Sequence, residues 1–149
     1  AVYLRDLIER TRLSLRNLPT AAEEAELAIA QARRSGAELS RVIALGSNDE
    51  FGLGSMEDFE AALKTTGGAL VRRDFLPDAE DQVATFAARI AAEKPGAVYA
   101  ASLQPNLGLF IKALREAGYI GPILTTDAFT YNYIRSAAGR ARRPRAPPA

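Results

Sequence analysis

The sequence predicts a doubly wound α/β fold: a parallel sheet with helices on both faces. Short apolar runs alternate with amphipathic stretches from Arg41 to Thr125. Parallel neighbours need a crossover, and a helix supplies it most simply. The run Arg41-Val-Ile-Ala-Leu-Gly46 breaks into the polar loop Ser47-Asn-Asp-Glu50, and glycines at 52 and 54 open a helix. In open α/β sheets ligands gather where strands end, so this loop is the first candidate for function.

In chain order, residues 1–12 carry Leu4, Leu7 and Ile8 on one helical face, and packing is the only role they suggest. Leu13–Asn17 reads as a short strand. Pro19-Thr20 followed by Glu23 and Glu24 opens a helix over Ala21–Arg34, with acids near its start and arginines at its end, and Gly36 stops it. The run at 41–46 is the first strand of the repeating unit. Ala69–Phe75 is the next, after which Pro77 and Asp78 begin a helix with Val83, Phe86, Ala87 and Ile90 at helical spacing. A third strand, Ala97–Ala101, leads through the loop Ser102–Asn106 to a helix with Leu107, Phe110, Ile111 and Leu114 on one face, ended by Gly118. The fourth strand, Pro122–Thr125, runs into Thr126-Asp127-Ala128 and a helix over 128–134.

With 149 residues, 48% of them hydrophobic, the chain holds one ordinary domain with a real core. No window approaches the roughly 20 apolar residues that cross a bilayer, and the first residues lack the charged and apolar regions of a signal peptide. The absence of cysteine leaves the redox compartment open. The net charge of +1 hides an asymmetry: residues 135–149 hold five arginines and no acid, so residues 1–134 carry −4, from 14 basic and 18 acidic side chains. The segment 140–149, rich in arginine and proline, is expected to be disordered. A basic tail suits nucleic acid or an anionic membrane, but no aromatic is interleaved with these arginines, and no nucleic-acid partner is assigned.

Missing residues narrow the chemistry. Without histidine or cysteine there is no Cys-His or Ser-His pair and no thiolate or imidazole for zinc. Gly52-Leu-Gly54 opens like a dinucleotide loop, but Glu57 holds the third glycine position and a phosphate would meet Asp49 and Glu50. Asn48-Asp49 suggests the acidic pocket of a phospho-receiver domain, yet the third strand ends in Ser102-Leu103 where that pocket needs an aspartate. An enzyme using carboxylates such as Asp49 and Asp127 is compatible with the sequence, though nothing demands one. The expectation is a non-enzyme with no cofactor and no metal.

Residues 15–139 resemble the type I periplasmic binding proteins, specifically the branched-chain amino-acid (Leu/Ile/Val) receptors of ABC importers. The matching pieces are Leu15-Arg-Asn-Leu-Pro-Thr20, Val42-Ile-Ala-Leu45 with Asn48-Asp-Glu-Phe-Gly52, Phe59-Glu-Ala-Ala-Leu63 with Gly67-Gly68, Lys94-Pro-Gly-Ala-Val-Tyr99, Phe110-Ile-Lys-Ala-Leu-Arg-Glu-Ala-Gly118 and Gly121-Pro-Ile-Leu124. The resemblance implies a flavodoxin-like parallel sheet forming the second of two hinged lobes, over 13–139, flanked by the segment 1–12 and the tail 140–149. A complete receptor is more than twice this long, and the tail does not resemble the family's continuation. The implied ligand is an amino acid or a related organic acid or amide, the implied partner an ABC permease, and the implied location periplasmic or otherwise extracytoplasmic.

By resemblance Phe51 stands where the family places an aromatic against the ligand; the other reading is that it anchors its loop on the helix. Asp127 matches the acid that pairs with the ligand ammonium, a charge-assisted bond of about 1.5–3 kcal/mol if shielded from water, or else it caps the helix that follows. Leu103 departs from the common aromatic, which leaves room for a more apolar solute. Asp49, Ser102 and Gln104 are candidate rim contacts or ordinary loop residues. With flavodoxin-like order the switch point falls between the strands at 41–46 and 97–101, so loops 47–51 and 102–106 share a crevice. The alternative is a non-catalytic interaction module that self-associates through apolar surface, with 1–12 pairing between chains.

Overall fold

The computed structural model describes residues 20–127 and 132–139. The strand expected at 13–17, the segment 1–12 and the tail 140–149 lie outside them. Helix α1 (Ala21–Arg34) opens with a capping box: Thr20 Oγ1 accepts the Glu23 N–H at 3.2 Å, and the Glu23 carboxylate accepts the Thr20 N–H at 2.7 Å. Then follow β1 (Val42–Gly46), α2 (Glu50–Thr65), β2 (Leu70–Phe75), α3 (Glu80–Ala92), β3 (Ala97–Ala101), α4 (Asn106–Glu116), β4 (Ile123–Thr125) and α5 (Asn132–Ala138). The four strands are parallel in the order β2-β1-β3-β4. This is the doubly wound sheet that the alternation predicts, in the flavodoxin-like order that the resemblance implies.

Side-chain alternation along the central strands divides the core in two. Val42, Ala44, Ala97, Tyr99 and Ala101 face α1 and α2, where they meet Ile29, Met56, Phe59 and Leu63. Ile43, Leu45, Val98 and Ala100 face α3, α4 and α5, where they meet Phe86, Ile90, Phe110, Leu114 and Ile134. Both central strands are buried along their whole length, which is why they read as continuous apolar runs. Phe59 stacks on Tyr99 with ring centroids 4.0 Å apart. Burial drives the Tyr99 phenol above its ordinary range, and the Glu24 and Asp58 charges add to the shift.

Among the described residues β2 is an edge strand, and it is guarded by charge. Arg72 forks onto both Glu93 carboxylate oxygens at 2.8 and 3.0 Å and donates to Asp74 at 2.7 Å, while Arg73 pairs with Glu60. These pairs are partly exposed, so their worth lies more in solvating the edge than in stability.

Two boundaries differ from expectation. Helix α3 starts at Glu80 rather than at Pro77-Asp78: the Pro77 and Asp78 carbonyls both accept from the Asn106 side chain, at 2.9 and 2.8 Å, and hold the bend that precedes the helix. The last helix, expected over 128–134, spans Asn132–Ala138, with 128–131 outside the described residues. Ile134 and Ala138, one turn apart, are both buried, so the packed face continues past Ile134.

Candidate functional site

Every described strand is parallel, so their carboxyl ends gather on one side of the sheet. Neighbouring ends are tied together there. The Ser47 N–H donates to the Ala101 carbonyl at 3.1 Å, and the Leu76 N–H donates to the Gly46 carbonyl at 2.8 Å. Since β1 and β3 are adjacent while their connections depart to opposite faces, the loops after them open into one crevice at the point where strand order reverses.

The loop after β1 is built around Asp49. Its Oδ1 accepts the Ser47 hydroxyl at 2.8 Å and the Gly52 N–H at 2.8 Å, so Asp49 caps α2. Gly52 belongs to the same construction: a Cβ there would run into the Ser47 backbone. Only glycine lets the first turn of α2 approach the strand end so closely. Phe51 is half-buried and packs against both halves of the core, which gives its ring an anchoring role, while part of it remains open to solvent.

The loop after β3 turns on Ser102. Ser102 is fully buried and its Oγ accepts the Gln104 N–H at 3.0 Å, a local turn that leaves Leu103 40% exposed beside the exposed Gln104. Two long-range bonds hold this loop. Asn106 reaches the segment after β2, as above, and the Tyr133 hydroxyl on α5 donates to the Leu103 carbonyl at 2.6 Å. Asp127 stands exposed just past β4, the strand beside β3, following the buried Thr126. Phe51, Leu103, Gln104, Asp49 and Asp127 therefore all lie at the carboxyl ends of β1, β3 and β4, and Ser102 lies beneath them.

Tyr133 and Asn106 were not among the expected site residues. Asn106 lay inside the loop read from the sequence, but its partners are 28 and 29 residues away. Tyr133 had as its only signal an aromatic a few residues past Asp127. Beside the crevice, past β2, a groove of about 650 Å³ is lined by Asn48, Phe75, Pro77, Asp78, Gln82 and Arg89 among others, with the Arg89 guanidinium 5.1 Å from the centre of the Phe86 ring.

This end of the lobe combines half-buried and exposed hydrocarbon, backbone amides and two carboxylates. Among the described residues, no group of three or more His, Cys, Asp or Glu side chains could hold a metal ion, and no helix is long and apolar enough to cross a membrane. The groups gathered at this end offer apolar contact, hydrogen bonding and charge pairing. A doubly wound lobe with such a crevice belongs to the class of α/β ligand-binding domains. The chain is a member of the periplasmic binding protein family, whose sequence pattern matches residues 15–141.

Solved structures agree. A putative branched-chain amino acid ABC transporter protein from Rhodospirillum rubrum superposes with a TM-score of 0.73 at 25% identity, over 91% of this chain and 39% of that one. An extracellular ligand-binding receptor from Rhodopseudomonas palustris HaA2 gives 0.64 at 27%, over 80% and 33%. A solute-binding protein of an R. palustris ABC transporter, solved with benzoate, gives 0.66 at 19%, over 82% and 33%. The chain thus spans about a third of the length of these structures. No curated protein matches it. Its family and fold are those of a ligand-binding receptor.

Proposed function

We propose that the chain is the second lobe, over residues 13–139, of an extracytoplasmic solute-binding receptor that serves an ABC importer. The carrying observation is the reversal of strand order between β1 and β3, which brings the 47–51 and 102–105 loops to one crevice with Asp127 at the next strand end. The solute is an amino acid or another small organic acid or amide. Its apolar part lies against Phe51 and Leu103, its ammonium, where it has one, pairs with Asp127, and Asp49 and Gln104 stand at the rim. Ser102 acts from below by shaping the loop. The R. rubrum and benzoate-bound relatives support a range from branched-chain amino acids to aromatic acids.

One lobe supplies one wall of such a site, so this chain alone binds weakly. A thermal-shift screen against amino acids, amides, aromatic acids and short organic acids tests the reading, because a ligand that binds only the folded state raises the melting temperature. A solute that stabilises the parent chain and not Asp127→Ala supports it. No shift at millimolar concentration refutes it for this chain.

A second reading draws on Leu53, Phe75, Leu103 and Tyr133, which are exposed at this same end of the sheet. Self-association through them would bury that surface. Sedimentation decides: a mass that rises with concentration, together with an unresponsive melting temperature, favours association over solute binding.

A further inference from the structure

The loop that carries Leu103 is held from an unexpected direction. Tyr133 comes from α5, 30 residues further along the chain, and its hydroxyl donates to the Leu103 carbonyl at 2.6 Å. Helix α5 is itself firmly seated. Ile134, the next residue, is fully buried, and α5 lies so close to α4 that a Cβ on Gly108 would collide with the Ile134 carbonyl. Tyr133 is thus fixed in place by its neighbour's packing and by its own hydrogen bond.

Leu103 is fixed too. Ser102 is buried beneath it and captures the Gln104 N–H, so the turn presents residue 103 outward. Both residues are exposed, Tyr133 at 49% and Leu103 at 40%, and the Tyr133 hydroxyl meets the Leu103 backbone at the carboxyl end of β3. Because the phenol has the Leu103 carbonyl as its acceptor, what the tyrosine offers a solute is chiefly its ring. Holding such a ring in advance removes much of the ordering cost that a free side chain would incur on binding.

We propose that Tyr133 is a specificity-determining residue of this crevice: its ring and the Leu103 side chain form one apolar lip that selects solutes bearing an aromatic or branched aliphatic group over small polar ones. The proposal rests on the solute-binding reading above and deepens it by naming the ligand class. The hydrogen bond sets the height of the lip, and the ring and the leucine supply the contact.

The test is an NMR titration of the isotope-labelled full chain with benzoate, L-leucine and glycine, following the amides of 47–51 and 102–106. The parent chain is expected to bind benzoate and L-leucine more tightly than glycine. Tyr133→Ala should lower benzoate affinity about tenfold and collapse the preference over glycine, whereas Tyr133→Phe, which keeps the ring and loses the tether, should lose only about two- to threefold. Leu103→Asn alters an exposed side chain and leaves the backbone carbonyl for Tyr133, so it tests the other half of the lip without endangering the fold; a several-fold loss of benzoate binding is expected. If these amides respond to the probes but Tyr133→Ala and Leu103→Asn keep the parent's preference, the lip is wrong and the solute-binding reading stands. If no probe shifts them in the parent chain, both fall.

Discussion

Replacing Asn106 with alanine should cost the lobe about 2–4 kcal/mol. The Asn106 Nδ2 donates to the Pro77 carbonyl at 2.9 Å and the Asp78 carbonyl at 2.8 Å, and the residue is 6% exposed. Two carbonyls can only accept, so the amide nitrogen must face them. A net hydrogen bond contributes about 0.5–1.5 kcal/mol, and each carbonyl left without a donor near the core adds a desolvation cost of about 1–3 kcal/mol where water cannot reach it. The range assumes that water recovers one of the two. Helix α3 has no side-chain cap at Ala79, so this tether is also what fixes the approach to its first turn.

Asn106→Asp sharpens the test. At neutral pH a carboxylate would face two carbonyl oxygens with no proton to give, so its folded-state pKa must rise above the unfolded value near 3.9. A carboxyl raised in this way penalises folding above its unfolded pKa, and the penalty disappears as pH falls below that value and the acid regains a donor. Urea unfolding followed by circular dichroism should place Asn106→Asp below Asn106→Ala at pH 7 and bring it level with or above Asn106→Ala near pH 3.5. A loss below about 0.5 kcal/mol for alanine, or an aspartate variant insensitive to pH relative to alanine, would refute the reasoning.

Two further predictions concern packing and titration. Gly52→Ala should destabilise by about 2–3 kcal/mol or more in the same urea assay, because the new Cβ meets Ser47 backbone, which cannot turn aside as a side chain could; a neutral result would mean that α2 can shift freely against β1. Burial pushes the Tyr119 phenol up to about 12, with Arg115 opposing, and raises Tyr99 further, so both stay protonated in the fold at pH values where the unfolded chain has ionised. Stability should therefore be full below pH 10 and fall as pH rises through that value towards 12, and Tyr119→Phe should flatten part of the slope, on the order of 1–2 kcal/mol. Urea midpoints measured from pH 9 to 11.5 check the sign, and a midpoint that rises over that range contradicts it.

Much of the fold was legible because its signals are local. The capping box at Thr20 and Glu23, the apolar spacing of Val83, Phe86, Ala87 and Ile90, and the runs at 42–46 and 97–101 each report a regular backbone within a few residues of themselves. The flavodoxin-like strand order came with the family resemblance rather than from local signals, and the observed order β2-β1-β3-β4 sets the ends of β1 and β3 side by side. The start of α3 was misjudged because it depends on Asn106, a residue on another helix.

What the amino-acid sequence determined by itself, then, is a doubly wound α/β fold and its kinship with the periplasmic binding protein family, together with the expectation of a crevice at the ends of β1 and β3. Tertiary structure alone decided how those ends are finished. Asp49 faces its own helix, Ser102 is buried beneath its loop, Gly108 lets α5 lie against α4, and Tyr133 thereby reaches the carbonyl of Leu103. The physical reason is range: periodicity and caps are set by neighbours along the chain, whereas a hydrogen bond spanning 30 residues exists only once the sheet has brought its partners together.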